Sequence, residues 1–533
     1  MKDVKILDCT LRDGGYVNDF LFGKYSITKI ISQLTTSGID IIECGFLEDG
    51  EYNPECSVFN RVEQIKEFIP TDRKHSMYVA MACYGEYSIE QLSDYDGQSI
   101  DGIRVTFHYN EVEDAMKYCS QIQQKGYKVF VQPVGTTSYS DDKLLQLIHI
   151  VNSLKPYAFY LVDTLGLMNQ YDVLRFFYLI DHNLDKTINI GFHSHNNLQL
   201  SFSNCQVLVN INCDRTIFLD ASVNGMGRGA GNLNTELIAN YLNDHFQYRY
   251  EIEPLLEIID EFIGHIKKEH EWGYSVPYYL AAINGCHPNY ASYLSSKQTL
   301  TVKHIATILK MIEPEKRSLF NKELAEKMYK SFQSQEIDDS EIISELRKKI
   351  SGRNVILIAP GSSLNDYRDK IFQVMHTENC ISISVTFVPN FMDCDYVFLS
   401  NLKRYDTTFN PQKKQISLIH TSNIKLDGVS SMVVNYSSLL CEPEVIMDNS
   451  CMMALNLLCK LSPSKIYLAG LDGYSLEKNN YCQDRLNIEQ DKTHLIKINQ
   501  AIRDKIKELI SCKLSIEFVT PSLYQKVYCD GSL

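Results

Sequence analysis

Along the first ~250 residues, short apolar runs alternate with longer stretches of helical periodicity, and nearly every run ends in polar side chains. Ile6–Leu7 leads into Asp8-Cys-Thr-Leu-Arg12-Asp13-Gly-Gly, Ile41–Ile42 into Glu43-Cys-Gly, Met77–Ala80 into Met81-Ala-Cys, and Ile103–Phe107 into His108. Val129–Val131 leads into Gln132-Pro, Phe159–Val162 into Asp163-Thr-Leu-Gly, Ile190–Phe192 into His193, and Ile217–Leu219 into Asp220-Ala-Ser. Between them, segments such as Ile27 to Ser37 and Asp141 to Leu154 carry helix-like spacing. Eight strand–helix units in this length predict an α/β fold with a parallel sheet closed into a (β/α)8 TIM barrel. In that fold the active site lies at the C-terminal ends of the strands. Asp13, Glu43, His108, Asp163, His193 and His195 all fall at such ends.

His193-Ser-His195-Asn-Asn is the most informative of these endings. Side chains on a strand alternate with period two, so both imidazoles project from one face and can bind one cation. A lone His-x-His is a weak signal, and its position at a strand end strengthens it.

Five motifs occur in a fixed order: Asp8-Cys-Thr-Leu-Arg-Asp-Gly, Arg104-Val-Thr-Phe-His108, Asp163-Thr-Leu-Gly, His193-Ser-His-Asn-Asn-Leu, and Asp220-Ala-Ser-Val-Asn-Gly-Met-Gly-Arg-Gly-Ala-Gly-Asn232. Together they resemble the metal-dependent pyruvate aldolases and acyl transferases of the DRE-TIM metallolyase superfamily, most of all its 4-hydroxy-2-oxovalerate aldolases. The resemblance runs from Met1 to about Tyr250. More weakly, Gly273-Tyr-Ser-Val-Pro-Tyr-Tyr-Leu to Ile312 is similar to the helical region that follows the barrel in those aldolases and helps to complete their active site.

The resemblance implies a divalent-metal-dependent carbon–carbon lyase. Asp13, His193 and His195 would be protein ligands, with Asn232 as a fourth. One carboxylate, two imidazoles and an amide leave positions open for substrate and water. Mn²⁺ or Mg²⁺ is favoured, and the ligand set also admits Zn²⁺. A 2-oxo acid such as pyruvate would chelate the cation through its keto and carboxylate oxygens, giving an enolate that adds to, or is released with, an aldehyde. Arg12 resembles the arginine that neutralises the enolate oxygen. Thr164 would donate to the substrate carboxylate, Asp163 would support the site, and His193 would contact substrate as well as metal.

One departure concerns the base. The aldolases carry a histidine just after the Arg-Asp-Gly run, where this chain has Tyr16. A phenol of pKa about 10 is a poor base near neutrality, but it can relay a proton through water or bind a hydroxyl. His108 and Glu43 are the candidate replacements; either could instead orient a ligand or close a hydrogen-bond network. The change also implies an acceptor aldehyde different from that of the namesake aldolases. A Claisen synthase using acetyl-CoA is an alternative within the superfamily, but such enzymes usually carry Glu-Gln after the Arg-Asp-Gly run, and Gly15-Tyr16 stands here.

The run Gly225-Met-Gly227-Arg228-Gly229-Ala-Gly231 lacks the spacing and context of a dinucleotide fingerprint. It reads as the loop after the eighth strand, where backbone amides approach the substrate and Arg228 could pair with an anionic acceptor.

Composition narrows the setting. The 533 residues carry a formal net charge of −14, against binding nucleic acid or an anionic membrane. No apolar stretch reaches the ~18 residues of a membrane span, and no charged-then-apolar leader precedes the first strand. The 16 cysteines are scattered without a Cys-x-x-Cys pair, as reduced thiols would be. A cytoplasmic enzyme is expected, with a homodimer as the default from the resemblance.

The length predicts a second domain. The expected division is a barrel over 1–250, a helical extension and charged connector over 251–349, and a Rossmann-like α/β domain over 350–533. There Val355-Ile-Leu-Ile-Ala-Pro-Gly361-Ser-Ser-Leu reads as a buried strand entering a turn whose amides could face a phosphate, with a helix from Asn365. Ile381–Val388, Tyr396–Leu399, Ile416–Ile419 and Ile466–Ala469 read as further strands, the last ending in Gly-Leu-Asp472-Gly-Tyr. Two of these motifs weakly resemble the nucleotide-sugar-binding ends of sialyltransferase-like and motility-accessory-factor-like domains. That resemblance implies a nucleotide sugar as partner, with Ser362 and Asp472 to test. The alternative is a docking or scaffold domain, or a bifunctional protein whose C-terminal half transfers a glycosyl group.

Overall fold

The computed structural model describes residues 3–408, 417–426, 431–475, 479–483, 486, 492–512 and 514–525. Met1, Lys2 and 526–533, at the ends of the expected domains, lie outside the described residues. The chain forms two compact units, Met1–Ser292 with Glu313–Phe320, and Tyr293–Ile312 with Asn321–Leu533.

The first unit holds the expected barrel and runs on past residue 250. Its strands are β1 (Val4–Asp8), β2 (Ile41–Leu47), β3 (Val58–Phe59), β4 (Met77–Cys83), β5 (Gly102–Phe107), β6 (Lys128–Pro133), β7 (Ala158–Asp163), β8 (Asn189–Ser194) and β9 (Ile217–Ala221). The parallel order β1-β9-β8-β7-β6-β5-β4-β2 closes where β1 pairs with β2, and the two-residue β3 lies outside the ring against β2.

Alternation along each strand sorts side chains into two layers. Ile6, Ile42, Ala80, Ile103, Val105, Val131 and Leu161 join the core beneath the helices. Leu7, Ile41, Val79, Phe130, Tyr160 and Phe218 fill the barrel interior. Above that apolar floor the same inward registers bring up charge, with Glu43, Arg104, Asp220 and His193 all buried. Apolar spacing of three and four makes the surrounding helices one-sided. Lys24–Thr36 buries Ile27, Ile30, Ile31 and Leu34. Asp141–Leu154, which has the expected bounds, buries Leu144, Leu147, Ile148 and Val151 between the Ser140 N-cap and left-handed Lys155. Each such fully buried Leu, Ile or Val contributes about 1.5–3 kcal/mol of transfer free energy.

The second unit holds one parallel sheet: β10 (Asn354–Ile358), β11 (Ile381–Val385), β12 (Tyr396–Leu399), β13 (Ser417–Thr421), β14 (Ser431–Val434), β15 (Lys465–Ala469) and β16 (Ile516–Phe518). Its order, β14-β13-β12-β11-β10-β15-β16, reverses direction between β10 and β15. The two edge strands were not among those expected; β14 is only partly buried and β16 has three residues. Helix Ser340–Ile350, within the charged stretch read as a connector, has a buried side, and its Leu346 and Ile350 belong to the core of this unit. Among the described residues no helix is long and apolar enough to cross a membrane.

Candidate metal centre and active site

At the C-terminal end of the barrel, Asp13, His193 and His195 converge so that one donor atom from each lies within 4.8 Å of the others. Asp13 sits in the turn after β1, held by its backbone N–H donating to Cys9 O at 2.8 Å. His193 and His195 emerge from one face of β8, as their period-two spacing requires.

The outer nitrogen of each imidazole is fixed by a partner. His193 Nδ1–H donates to Asp220 Oδ2 at 2.9 Å, and His195 Nδ1–H donates to the Asp163 carbonyl at 3.2 Å. Both Nε2 lone pairs are thereby turned to Asp13, 4.0 Å from Oδ1 for His193 and 3.5 Å from Oδ2 for His195. Burial pushes the His193 pKa down, favouring the neutral ring that ligates metal. Burial alone would raise Asp13, but Arg12 and the two histidines hold its carboxyl well below the usual range.

Asn232 touches the cluster through Asp13. Its Nδ2 donates to Asp13 Oδ2 at 2.7 Å and to Met226 O at 3.1 Å, while its buried Oδ1 has no hydrogen-bond partner. A buried oxygen without a partner, on a side chain bonded to Asp13, is what a fourth ligand would leave. The loop permits this approach because residue 227 is glycine, where a Cβ would fall 2.4 Å from Asn232 Nδ2 and 3.0 Å from Asp13 Oδ2. The residues therefore fit a divalent cation.

Beneath the cluster runs a buried ionic chain. Arg12 Nη1 pairs with Asp13 Oδ1 at 2.6 Å and Arg12 Nε with Glu43 Oε2 at 2.8 Å. Arg104 Nη1 meets the same Glu43 oxygen at 2.6 Å, and Arg104 Nη2 pairs with Asp220 Oδ2. The Arg104 guanidinium also lies 4.9 Å from the Tyr160 ring centroid. Two guanidiniums thus face three carboxylates, a formal charge of −1 that a divalent cation converts to +1. Arg12 Nη2 is buried without a partner, a donor held ready for an anion.

A cavity of about 140 Å³ is lined by Arg12, Asp13, Tyr16, Thr164, His193 and His195, with Gln132, Asn197, Arg228 and His287 among its other walls. Thr164 Oγ1 accepts from Gly135 N–H at 2.9 Å, which leaves its own proton to donate. Asp163 supports the β7 turn by accepting from Leu167 N–H at 2.9 Å and Met168 N–H at 3.0 Å, and burial raises its pKa to about 6. The Tyr16 ring is 40% exposed, packed edge-on against Phe20 and Phe46, with the Arg228 guanidinium 3.8 Å from its centroid. Loss of water around the phenol raises its pKa against the pull of Arg228 and Arg12.

The two candidate replacement bases do not reach this cavity. The chain turns after Phe107 into the short helix Tyr109–Glu111, whose Glu111 side chain accepts the His108 backbone N–H at 2.8 Å, and His108 is exposed. Glu43 points inward, but Arg12 and Arg104 take up its Oε2 below the cavity. Arg104 and Asp220 are positioning residues that motif reading left without roles, although the inward registers of β5 and β9 could have marked both. His287 lies in the stretch from Gly273 to Ile312 whose resemblance pointed to an active-site segment, but nothing in the sequence singled out the residue.

In the second unit, the turn after β10 corrects an expectation. Asp472 accepts from Ser363 N–H at 2.7 Å and from the Ser362 hydroxyl at 3.4 Å, so the protein's own carboxylate takes the anion position of the Gly-Ser turn. The chains cross closely there: Gly470 has φ +70°, and a Cβ on it would lie 2.2 Å from the Ala359 carbonyl. A cavity of about 460 Å³ opens over these turns, lined by Gly361, Gly470, Asp472, Arg404, Asp448 and Tyr481 among others.

Comparison with known proteins bears on the barrel. Residues 3–259 match the family model HMGL-like, so the N-terminal region is an HMGL-like, DRE-TIM domain. The chain is 26% identical to a 4-hydroxy-2-oxovalerate aldolase of Geobacillus genomosp. 3, over 48% of this chain and 78% of that protein. It is 27% identical to an oxaloacetate decarboxylase of Mycobacterium tuberculosis, over 44% of this chain and 68% of that protein. Among solved structures, the N-terminal domain of a putative aldolase from Bacteroides vulgatus is 25% identical, with a TM-score of 0.47, covering 55% of this chain and 96% of that one.

Proposed function

We propose that the barrel is a divalent-metal-dependent carbon–carbon lyase of the aldolase type, which forms the enolate of pyruvate or a related 2-oxo acid and joins it to, or releases it from, an aldehyde. The observation that carries this reading is Arg12 Nη2, a buried unpaired donor beside the Asp13, His193 and His195 cluster. Asp13, His193, His195 and Asn232 Oδ1 would hold Mn²⁺ or Mg²⁺, which when bound supplies Lewis-acid polarisation of a keto oxygen.

The chain's own residues then divide the work. Glu43 and Asp13 orient the Arg12 guanidinium from two sides, so Nη2 meets negative charge as it develops on the keto oxygen without reorganising. The Thr164 hydroxyl donates to the substrate carboxylate. Tyr16 and Arg228, stacked on each other, orient the acceptor aldehyde. With neither His108 nor Glu43 at the cavity, Tyr16 relays the proton exchanged at C3 through water. The test is to incubate the protein with pyruvate, a divalent metal and a series of short aldehydes, and to follow adducts by mass spectrometry. Adduct that disappears with chelator is expected. No adduct with any aldehyde or metal counts against the reading.

A second reading concerns the other unit. The 460 Å³ cavity lies at the C-terminal ends of β10 and β15, where the strand order reverses, the place at which open α/β sheets bind ligands. We propose a nucleotide sugar as its ligand, with its phosphates away from the Ser363 amide that Asp472 already occupies, which would place the aldehyde among sugar intermediates of polysaccharide metabolism. Calorimetric titration with uridine and cytidine nucleotide sugars tests it; absence of heat with all of them removes the reading.

A further inference from the structure

His287 reaches the metal-centre cavity from outside the eight strands, and nothing in the five motifs accounts for it. It directly precedes helix Pro288–Ser296, is 7% exposed, and lines the same cavity as Arg12, His193 and His195. Its backbone is anchored by its N–H donating to Arg317 O at 2.7 Å and by its carbonyl accepting from Tyr290 N–H at 3.0 Å. The ring stacks on Phe320, with centroids 6.3 Å apart and planes at 28°.

The ring nitrogens are not equivalent. The Asn289 backbone N–H, in the first turn of the helix, donates to His287 Nδ1 at 3.2 Å. A backbone N–H can only donate, so Nδ1 is the acceptor and a neutral ring must carry its proton on Nε2. On the other edge Arg228 Nη1 donates toward Nε2 at 3.5 Å, the limit of a hydrogen bond; a neutral ring has one lone pair for the two donors, and the shorter Asn289 contact takes it. Three things oppose a charge on this imidazole: burial, Arg228 and His195, which bring its pKa down to about 4. The helix N-terminus acts in the same direction. A general base here would need a free lone pair on the nitrogen that meets substrate, and the Asn289 contact assigns that lone pair to the other side.

Resting on the aldolase reading above, we propose that His287 is a catalytic hydrogen-bond donor, its neutral Nε2–H directed to the oxygen of the acceptor aldehyde. In the addition direction the enolate carbon–carbon π pair forms the new bond to the aldehyde carbon, and the carbonyl π pair moves onto the aldehyde oxygen. His287 stabilises that alkoxide by hydrogen bonding and keeps its own proton. The alkoxide takes its proton from water, and cleavage runs the same steps in reverse. His287 therefore serves the aldehyde half of the reaction and has no part in making the enolate, which is the task of Arg12.

Two half-reactions and two variants separate these roles. Glutamine can place a neutral N–H donor near the position of Nε2 and cannot act as a base, whereas phenylalanine keeps the ring without a donor. Exchange of the pyruvate methyl protons in D2O reads enolate formation alone, and addition of pyruvate to acetaldehyde reads both halves. His287→Gln and His287→Phe should both exchange within about 3-fold of the parent, while addition falls about 100-fold in His287→Phe and stays within about 10-fold in His287→Gln. Loss of exchange in both variants, or equal loss of addition in both, makes His287 a base and overturns the proposal. No exchange by the parent protein with any divalent metal is instead a failure of the aldolase reading. ¹⁵N NMR of histidine-labelled protein, with His287→Gln to assign the signal, gives a readout that needs no aldehyde. It should show Nδ1 bare and Nε2 protonated from about pH 5 to about pH 8, and a proton on Nδ1 or a titration within that range overturns the assignment.

Discussion

His193 Nδ1 donates to Asp220 Oδ2 at 2.9 Å, and the same carboxylate oxygen is paired with Arg104 Nη2. This one oxygen ties a metal-ligand candidate to the buried ionic chain below it, and it settles which nitrogen of His193 faces Asp13. Arg104 and His193 keep Asp220 ionised against its burial, so it can only accept. Asp220→Asn retains the volume and loses the charge. It should lower Mn²⁺ affinity about 10–100-fold, measured by competition with a fluorescent chelator. Unchanged affinity would remove Asp220 from the support of the centre.

Arg104 has no exposed surface and is paired with Glu43 and Asp220. Arg104→Met fills much of the space but leaves two carboxylates buried without their cation. The expected cost is about 3–5 kcal/mol in chemical denaturation of the barrel unit. A change below about 1 kcal/mol would show that Arg12 and solvent compensate.

How much of this was legible in the sequence follows from periodicity. The barrel was readable because its strands are apolar runs stopped by polar residues, and His193 and His195 because strand parity puts both on one face; Asp13 as a ligand followed from the resemblance. Asn232 followed from the resemblance alone. His108 was suggested by its place at the end of an apolar run, but a turn capped by Glu111 carries it outward. Glu43 was read at a strand end, whereas β2 runs on to Leu47 and two arginines take up the Glu43 carboxylate inside the barrel. In the second unit, edge strands with little apolar content carry no strong signal. The charged run ending at Lys349 conceals Leu346 and Ile350 because a helix needs only one buried side.

Gly227 lets the loop pass beside two ligand candidates. Gly227→Ala would press a methyl group against Asn232 Nδ2 and Asp13 Oδ2. Reduced bound metal, by elemental analysis, with a circular dichroism spectrum like the parent's is the expected result. Full metal occupancy would show that the loop can yield.

Asp8 opens the first motif and is buried at 1% exposure, accepting from Thr10 N–H at 2.9 Å and Thr235 Oγ1 at 2.6 Å. Burial raises its pKa from 3.8 to about 6 despite these donors. The folded state therefore binds the proton more tightly than the unfolded chain. The stability this contributes is complete below about pH 4 and is lost as pH rises through about 6, at most about 3 kcal/mol. Asp8→Asn mimics the protonated form, so its stability relative to the parent should rise between about pH 4 and about pH 6 and stay level above that. A pH-independent difference in thermal unfolding would contradict this.

Exchange of the pyruvate methyl protons in D2O, followed by NMR with added Mn²⁺ or Mg²⁺, tests the central claim most directly because it requires no knowledge of the acceptor. Metal-dependent exchange should occur in the parent protein and fall by about 100-fold or more in Arg12→Ala, which should still bind the metal. Exchange that is indifferent to Arg12, or absent with every divalent metal, would contradict enolate formation at this centre.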